Sequence, residues 1–140
     1  MTDKIELQGF TQDNEELRLL MEVGYFFLDM GRPKDAREVF EGVSAIVPHS
    51  EAPLLGIGSA FFNEKKFPQA KKTYEAAITM NQVSGLAYAL LGETLIFMNQ
   101  VEAARRSLKQ ATDVSSESYV KQFVGHLTNA IDTGILPLKG

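Results

Sequence analysis

The chain of 140 residues contains no cysteine. That removes disulfides, thiolate zinc sites, iron–sulfur clusters and cysteine nucleophiles together. Histidine is nearly as scarce, with His49 and His126 the only two. A metal site needs three or four convergent ligands, and neither histidine stands in such a cluster, so no metal or cofactor is expected. Positive charge is not in excess. The 14 basic residues face 18 acidic ones, for a net charge of −4, which argues against a nucleic-acid backbone as the main partner. Lys65-Lys66 and Lys71-Lys72 form a basic patch too short for such a footprint. Long apolar runs are missing as well. The longest charge-free stretch, Ala76 to Gly92, holds Thr79, Asn81, Gln82, Ser84 and Gly85. It reads as two helix ends and a turn, not as a membrane span. The opening MTDKIELQGF has no basic segment followed by an apolar run, so no secretory signal is expected.

Catalytic constellations are absent too. Glu15-Glu16, Asp35, Glu38 and Glu41 fall at expected helix starts or on solvent faces, whereas acid–base catalysis needs positioned groups in a desolvated cleft. Gly56-Ile57-Gly58 opens like a dinucleotide fingerprint, but the third glycine position is Phe61 and no strand pattern precedes it. Helix packing explains these glycines better. What remains is a chain 44% hydrophobic, long enough to bury about two-thirds of its unfolded surface as one domain or a short solenoid.

What is present is a repeat. Gly24, Gly58 and Gly92 recur every 34 residues, as do Ala36, Ala70 and Ala104. Phe40, Tyr74 and Leu108 follow the same interval, with Phe27, Phe61 and Leu95, then Val43, Ala77 and Ala111, then Leu20, Leu54 and Tyr88. Leu20, Val23, Gly24 and Phe27 share one face of a first helix, and Ala36, Phe40 and Val43 one face of a second. Glycine inside a helix costs about 1 kcal/mol relative to alanine, so its recurrence implies close helix approach. Turns are expected at Gly31-Arg32-Pro33, Lys65 to Pro68 and Asn99-Gln100, with Pro33 at a helix start. Ser50, Ser84 and Ser115 or Ser116 are expected N-caps, with another cap near Asp13. Tyr119 to Ile131 carries apolar residues at helical spacing, closed by Gly134.

A period of 34 with these residues in register resembles the tetratricopeptide-repeat family. The resemblance implies an all-α fold, a right-handed α-solenoid of three helix-turn-helix repeats plus a C-terminal capping helix. Its expected divisions are an arm at 1–16, repeats at 17–50, 51–84 and 85–118, a cap at 119–134 and a tail at 135–140. By the same resemblance the first helices line a peptide-binding groove at offsets 2, 5, 9, 12 and 13 of each repeat. These positions are Arg18, Met21, Tyr25, Leu28 and Asp29, then Ala52, Leu55, Ser59, Phe62 and Asn63, then Leu86, Ala89, Glu93, Ile96 and Phe97. Family members that clamp a peptide carboxy-terminus carry lysine, arginine and asparagine at several of these offsets. Met21, Tyr25, Leu55, Ser59, Ala89 and Glu93 stand there instead. The expected groove is therefore mostly apolar, suited to an apolar or amphipathic segment. The chain's own Ile5, Leu7 and Phe10 are the competing occupant, and Ile135-Leu136-Pro137-Leu138 is an apolar tail that either folds back or meets a partner.

Within the family the chain is similar to the tetratricopeptide chaperones of type III secretion. Leu54 to Ala60, Leu91-Gly92-Glu93 and Ala103-Ala104 carry that likeness. It departs at the N-terminus, where the arm is shorter than the dimer-forming arm of translocator chaperones and closer to the needle-subunit chaperones. The resemblance implies a non-catalytic cytoplasmic protein, not an enzyme, with no nucleic acid and no membrane insertion. Its partner would be a small helical secreted protein, with a second small co-chaperone in the needle group and a homo-oligomer left open. Leu55, Phe62, Ile96 and Phe97 are the expected anchors. A general scaffold joining larger cytoplasmic proteins is the other reading.

Overall fold

The structure, a computed structural model, describes residues 14–134. Ile5, Leu7, Phe10 and the tail from Ile135 lie outside the described residues. Among the described residues there are seven helices and no strand. They are α1 (Glu15–Asp29), α2 (Pro33–Ile46), α3 (Ala52–Asn63), α4 (Phe67–Met80), α5 (Gly85–Phe97), α6 (Val101–Val114) and α7 (Ser118–Thr133). The described residues fall into two compact units that divide between Met80 and Asn81. In the first, α1 pairs with α2 and α3 with α4, and α3 also packs on α2 and α1. In the second, α5 pairs with α6, and α7 packs on both.

The recurring glycines do what their spacing implied. A Cβ built on Gly24 would stand 2.5 Å from Cε1 of Phe40, on Gly58 2.5 Å from Cε1 of Tyr74, and on Gly92 2.6 Å from Cδ2 of Leu108. Each first helix therefore meets the large side chain of its own second helix with bare backbone. Gly56 adds a contact between hairpins of the first unit, since its Cβ would lie 2.7 Å from the Phe40 ring. Phe40 is thus held between α1 and α3, fully buried with Ala36, Ile57 and Ala60. In the second unit Ala104, Leu108 and Ala111 of α6 meet Val120, Val124, Leu127 and Ile131 of α7.

The three hairpin turns are one motif repeated. Arg32 and Gly31 donate backbone N–H to the carbonyls of Phe27 and Leu28, at 2.8 and 3.0 Å. Lys66 and Lys65 do the same to Phe61 and Phe62, both at 2.9 Å, and Gln100 and Asn99 to Leu95 and Ile96, both at 2.9 Å. These nested bonds satisfy the last carbonyls of each helix and require one residue in the left-handed region. Gly31 (φ 74°), Lys65 (φ 64°) and Asn99 (φ 63°) occupy it, again 34 apart. Gly134 (φ 73°) ends α7 in the same region, as expected.

The caps are partly displaced from expectation. Ser84 accepts the Ala87 N–H at 3.2 Å as predicted, and Asn14 caps α1 by accepting the Leu17 N–H at 3.2 Å. Ser50 and Ser115 instead sit one and two residues before the cap positions of their helices. Each accepts an N–H two residues on, from Ala52 and Glu117, at 3.2 Å. These are local hydroxyl turns rather than caps, with Glu51 and Glu117 at the cap positions.

One packing expectation fails at the start of the chain. Leu20 and Val23, expected to pack, are 39% and 40% exposed. Their counterparts Leu54 and Ile57 are covered because α2 precedes α3 in the same unit. No described hairpin precedes α1.

The glycine contacts yield a paired prediction. Gly58→Ala forces a Cβ into the Tyr74 ring and should cost about 1–3 kcal/mol, the usual penalty of overpacking. Gly42, inside α2, has nothing within 4 Å of its built Cβ. Gly42→Ala should gain up to about 1 kcal/mol from helix propensity alone. Chemical denaturation of both variants checks this, and equal effects would remove the packing explanation.

Candidate functional site

The predicted groove residues divide between the two units. In the first unit they lie on α1 and α3, which pack together. Tyr25 stays 41% exposed while its ring meets Phe40 edge-on, with centroids 4.9 Å apart. Met21 and Leu28 are half-buried against the Phe40 core. Phe62 is half-buried and stacks edge-on with Phe67 at 5.2 Å. Ser59 shares a 3.0 Å hydrogen bond with the Tyr74 hydroxyl, which leaves it half-buried and polar. Arg18 is exposed and lies 3.7 Å from Glu15. Asp29 and Asn63 are exposed, and Ala52 is half-buried at the start of α3. Leu55 differs from expectation, being only 6% exposed, and contributes to the interior more than to an open surface.

In the second unit the predicted residues lie on α5. Leu86 and Glu93 are half-buried, and Phe97 is 36% exposed. Ala89 and Ile96 are closed to solvent, at 0% and 1% exposure, and belong to the core of that unit. Ala89, expected to line the groove, and Ile96, expected as an anchor there, are packing residues instead. The physical reason is that α5, GLAYALLGETLIF, is apolar on nearly every side, so periodicity does not say which side is covered.

Two carboxylates show how burial is managed differently. Glu64, at the end of α3, has a side chain only 6% exposed. Burial works to raise its carboxyl, but Lys66 and Arg37 together outweigh it and hold it below its ordinary value. Arg37 of α2 lies 3.0 Å from Glu64 and its guanidinium sits over the Phe61 ring at 4.6 Å. Lys66 is 3.1 Å away. Arg105 and Asp132, 2.7 Å apart, form the analogous bridge from α6 to α7. Glu93 has no such partner. Burial alone raises its carboxyl to about 7.

The surface missed from sequence is the outer side of α1. Leu19, Val23, Phe26 and Met30 are 56%, 40%, 59% and 51% exposed. Their spacing of 4, 3 and 4 residues marks one helix face, a signal present in the sequence but masked by the repeat's expected packing face. His49 is exposed beside Ala45, Ile46 and Pro48 in a shallow open depression, and His126 is exposed on α7. Among the described residues no group of histidines and carboxylates is placed to hold a metal ion. No described helix is long and apolar enough to cross a membrane.

Helix hairpins with glycine against an aromatic or leucine, joined by identical turns, define a repeat protein. The tetratricopeptide-repeat family model matches residues 53–83 and 86–118. Those residues are tetratricopeptide repeats, and the described chain has the all-α repeat fold. No curated protein sequence matches the chain significantly. Solved structures share its fold at low identity. The type III secretion translocator chaperone SycD of Yersinia enterocolitica superposes with a TM-score of 0.77 at 16% identity, over 92% of this chain and 96% of that one. SycD in complex with a peptide of the translocator YopD gives 0.72 at 16%, over 89% and 98%. The first tetratricopeptide domain of Spaghetti (RPAP3) bound to an HSP90 peptide gives 0.68 at 18%, over 89% and 99%.

The half-buried Glu93 carries a pH prediction. Between its ordinary 4.5 and about 7, the folded protein holds a proton that the unfolded chain releases. Stability therefore falls as pH rises through that window. Glu93→Gln should match wild type near pH 4 and exceed it at pH 8 by on the order of 1–3 kcal/mol. Denaturation at the two pH values decides it, and parallel curves would mean the carboxylate is not desolvated.

Proposed function

We propose that this chain is a non-catalytic binding module that holds an apolar or amphipathic segment of a protein partner on its first-helix faces. The observation that carries the reading is the open apolar surface of the first unit. Tyr25, Met21 and Leu28 on α1, with Phe62 on α3, remain accessible or half-buried although a well-packed interior lies directly beneath them. Aromatic and large apolar side chains at a surface are the usual energetic centres of protein interfaces. On α5 the accessible apolar residues are Leu86 and Phe97. Leu55 lies beneath the surface of the first unit, and Ala89 and Ile96 lie beneath that of α5.

The finer assignment is a cytoplasmic type III secretion chaperone. It would cover an apolar stripe of a needle subunit or translocator and so prevent premature assembly. Two things support it: the residues of α3 and α5 that resemble those chaperones, and the fold shared with SycD, which has been seen with a translocator peptide. The fold is equally shared with a domain that binds an HSP90 peptide. A ligand ending in a clamped carboxylate finds no ready counterpart here. Met21, Tyr25, Ser59 and Glu93 occupy the offsets where a clamp would place cations and amides. The scaffold reading, with large cytoplasmic partners and tolerance of changes at these residues, is the alternative.

The test is affinity purification of the full chain from its native organism, followed by mass spectrometry and repeated with Phe62→Ala and Tyr25→Ala. We expect one small secreted helical protein, lost or weakened by about 2 kcal/mol per substitution, roughly thirtyfold in affinity. Recovery of large cytoplasmic proteins indifferent to both substitutions would establish the scaffold instead.

A further inference from the structure

Glu93 is the sole charged residue of α5, and its immediate neighbours on that helix face are Ala89, Leu90, Ile96 and Phe97. Within its own unit, the helices packed on α5 offer it no counter-charge. α6 turns Ala104, Ser107, Leu108 and Ala111 inward, and α7 turns Val120, Val124, Leu127 and Ile131. The one polar side chain among these, Ser107, already donates to the Tyr88 carbonyl at 2.7 Å. Thr94, beside Glu93, donates to the Leu90 carbonyl at 2.9 Å. Of the cations of α6 and α7, Arg105 pairs with Asp132 and Lys109 with Asp113, and Arg106, Lys121 and His126 are exposed. Tyr88 is the only other titratable side chain on α5. Elsewhere in the protein a comparably covered carboxylate, Glu64, is matched by two cations. A half-buried carboxylate in apolar surroundings is costly unless paired and hydrogen-bonded.

We propose that the segment bound on the α5 face is apolar with a single lysine or arginine, and that this cation pairs with Glu93. The inference rests on the binding-module reading and names the chemistry of what is bound. An apolar stretch covers Leu86 and Phe97, and the cation completes the one charge the protein leaves unmatched there. The same arrangement selects against acidic segments, because a second carboxylate beside Glu93 is repelled in a poorly solvated setting. Pairing also favours the ionised form of Glu93, so its raised proton affinity is lost on binding and a proton is released near neutral pH. Binding therefore strengthens as pH rises through that region.

The experiment selects 12-residue peptides from a random phage-displayed library on the full chain, and in parallel on Glu93→Gln. The wild-type consensus peptide and its Lys→Met or Arg→Met version are then titrated by fluorescence anisotropy at pH 6 and pH 8. We expect the wild-type protein to select apolar peptides around one cation, and the Met version to bind it at least tenfold more weakly, in line with a charge-assisted hydrogen bond. On Glu93→Gln the two peptides should differ less than twofold, and the gain in affinity from pH 6 to pH 8 should vanish. Both proteins carry the same two histidines, so the difference isolates Glu93. The peptide-side change is read on the wild-type protein and does not depend on how the variant folds. Apolar peptides without a cation preference, or a preference that persists in Glu93→Gln, overturn this inference and leave the binding module standing. A library that yields no apolar consensus on either protein overturns the binding reading itself.

Discussion

The contact on which the rest depends is backbone against ring. At Gly24 and Gly58 the first helix of a hairpin comes so close to Phe40 and Tyr74 that a single added methyl group would overlap the ring. At Gly92 the partner is Leu108. That closeness fixes which faces meet, because only one line of each first helix lacks a side chain there. It leaves the large side chain filling the space that two helices would otherwise leave as a void, and close-packed interiors tolerate few voids. Local propensity disfavours each glycine by about 1 kcal/mol. The buried rings offset this, since burying such a side chain is worth roughly 1.5–3 kcal/mol.

The second constraint is the turn that lets the helices fold back. It needs a left-handed residue at one position, and glycine takes it without strain only at Gly31. Lys65 and Asn99 accept the same geometry at a cost of about 1–2 kcal/mol for the lysine and less for the asparagine. The paired hydrogen bonds of each turn and the packing of the hairpin beneath it hold them there. The expected turns at Gly31-Arg32-Pro33, Lys65 to Pro68 and Asn99-Gln100 were legible because proline, glycine and asparagine have their own backbone preferences. The left-handed Lys65 was legible only through the 34-residue register, since nothing in lysine itself favours it.

The repeat therefore announced the fold, and the candidate site was less readable for physical reasons that differ by helix. In α1 the repeat register assigned Leu20 and Val23 to packing, and they are exposed because a repeat's packing face is buried only where another hairpin covers it. In α5 the problem is reversed. With apolar residues nearly all round, pattern carries no direction, and Ala89 and Ile96 went to the interior while Leu86 and Phe97 stayed accessible. In α3 the repeat offsets assigned Leu55, Ser59 and Phe62 to the groove; Ser59 and Phe62 are half-buried, and Leu55 is drawn further in. Burial depends on neighbours distant in sequence, which periodicity along one helix does not contain.

Charge is where function separates from fold. Glu64, at the C-terminal cap of α3, and Glu93, within α5, are both covered glutamates, yet burial is answered in one and unanswered in the other. Arg37 and Lys66 make Glu64 part of the architecture, tying α2 to the end of α3. A fold under selection for stability alone gains nothing from Glu93, because glutamine or leucine at the same place would avoid the desolvation penalty. The opposing requirement is a surface whose partner supplies the missing charge. Apolar area provides affinity with little discrimination, while one half-buried carboxylate rejects segments that lack a cation. One acid placed among apolar neighbours would give a binding surface such discrimination, with the cost in stability borne by the unbound state.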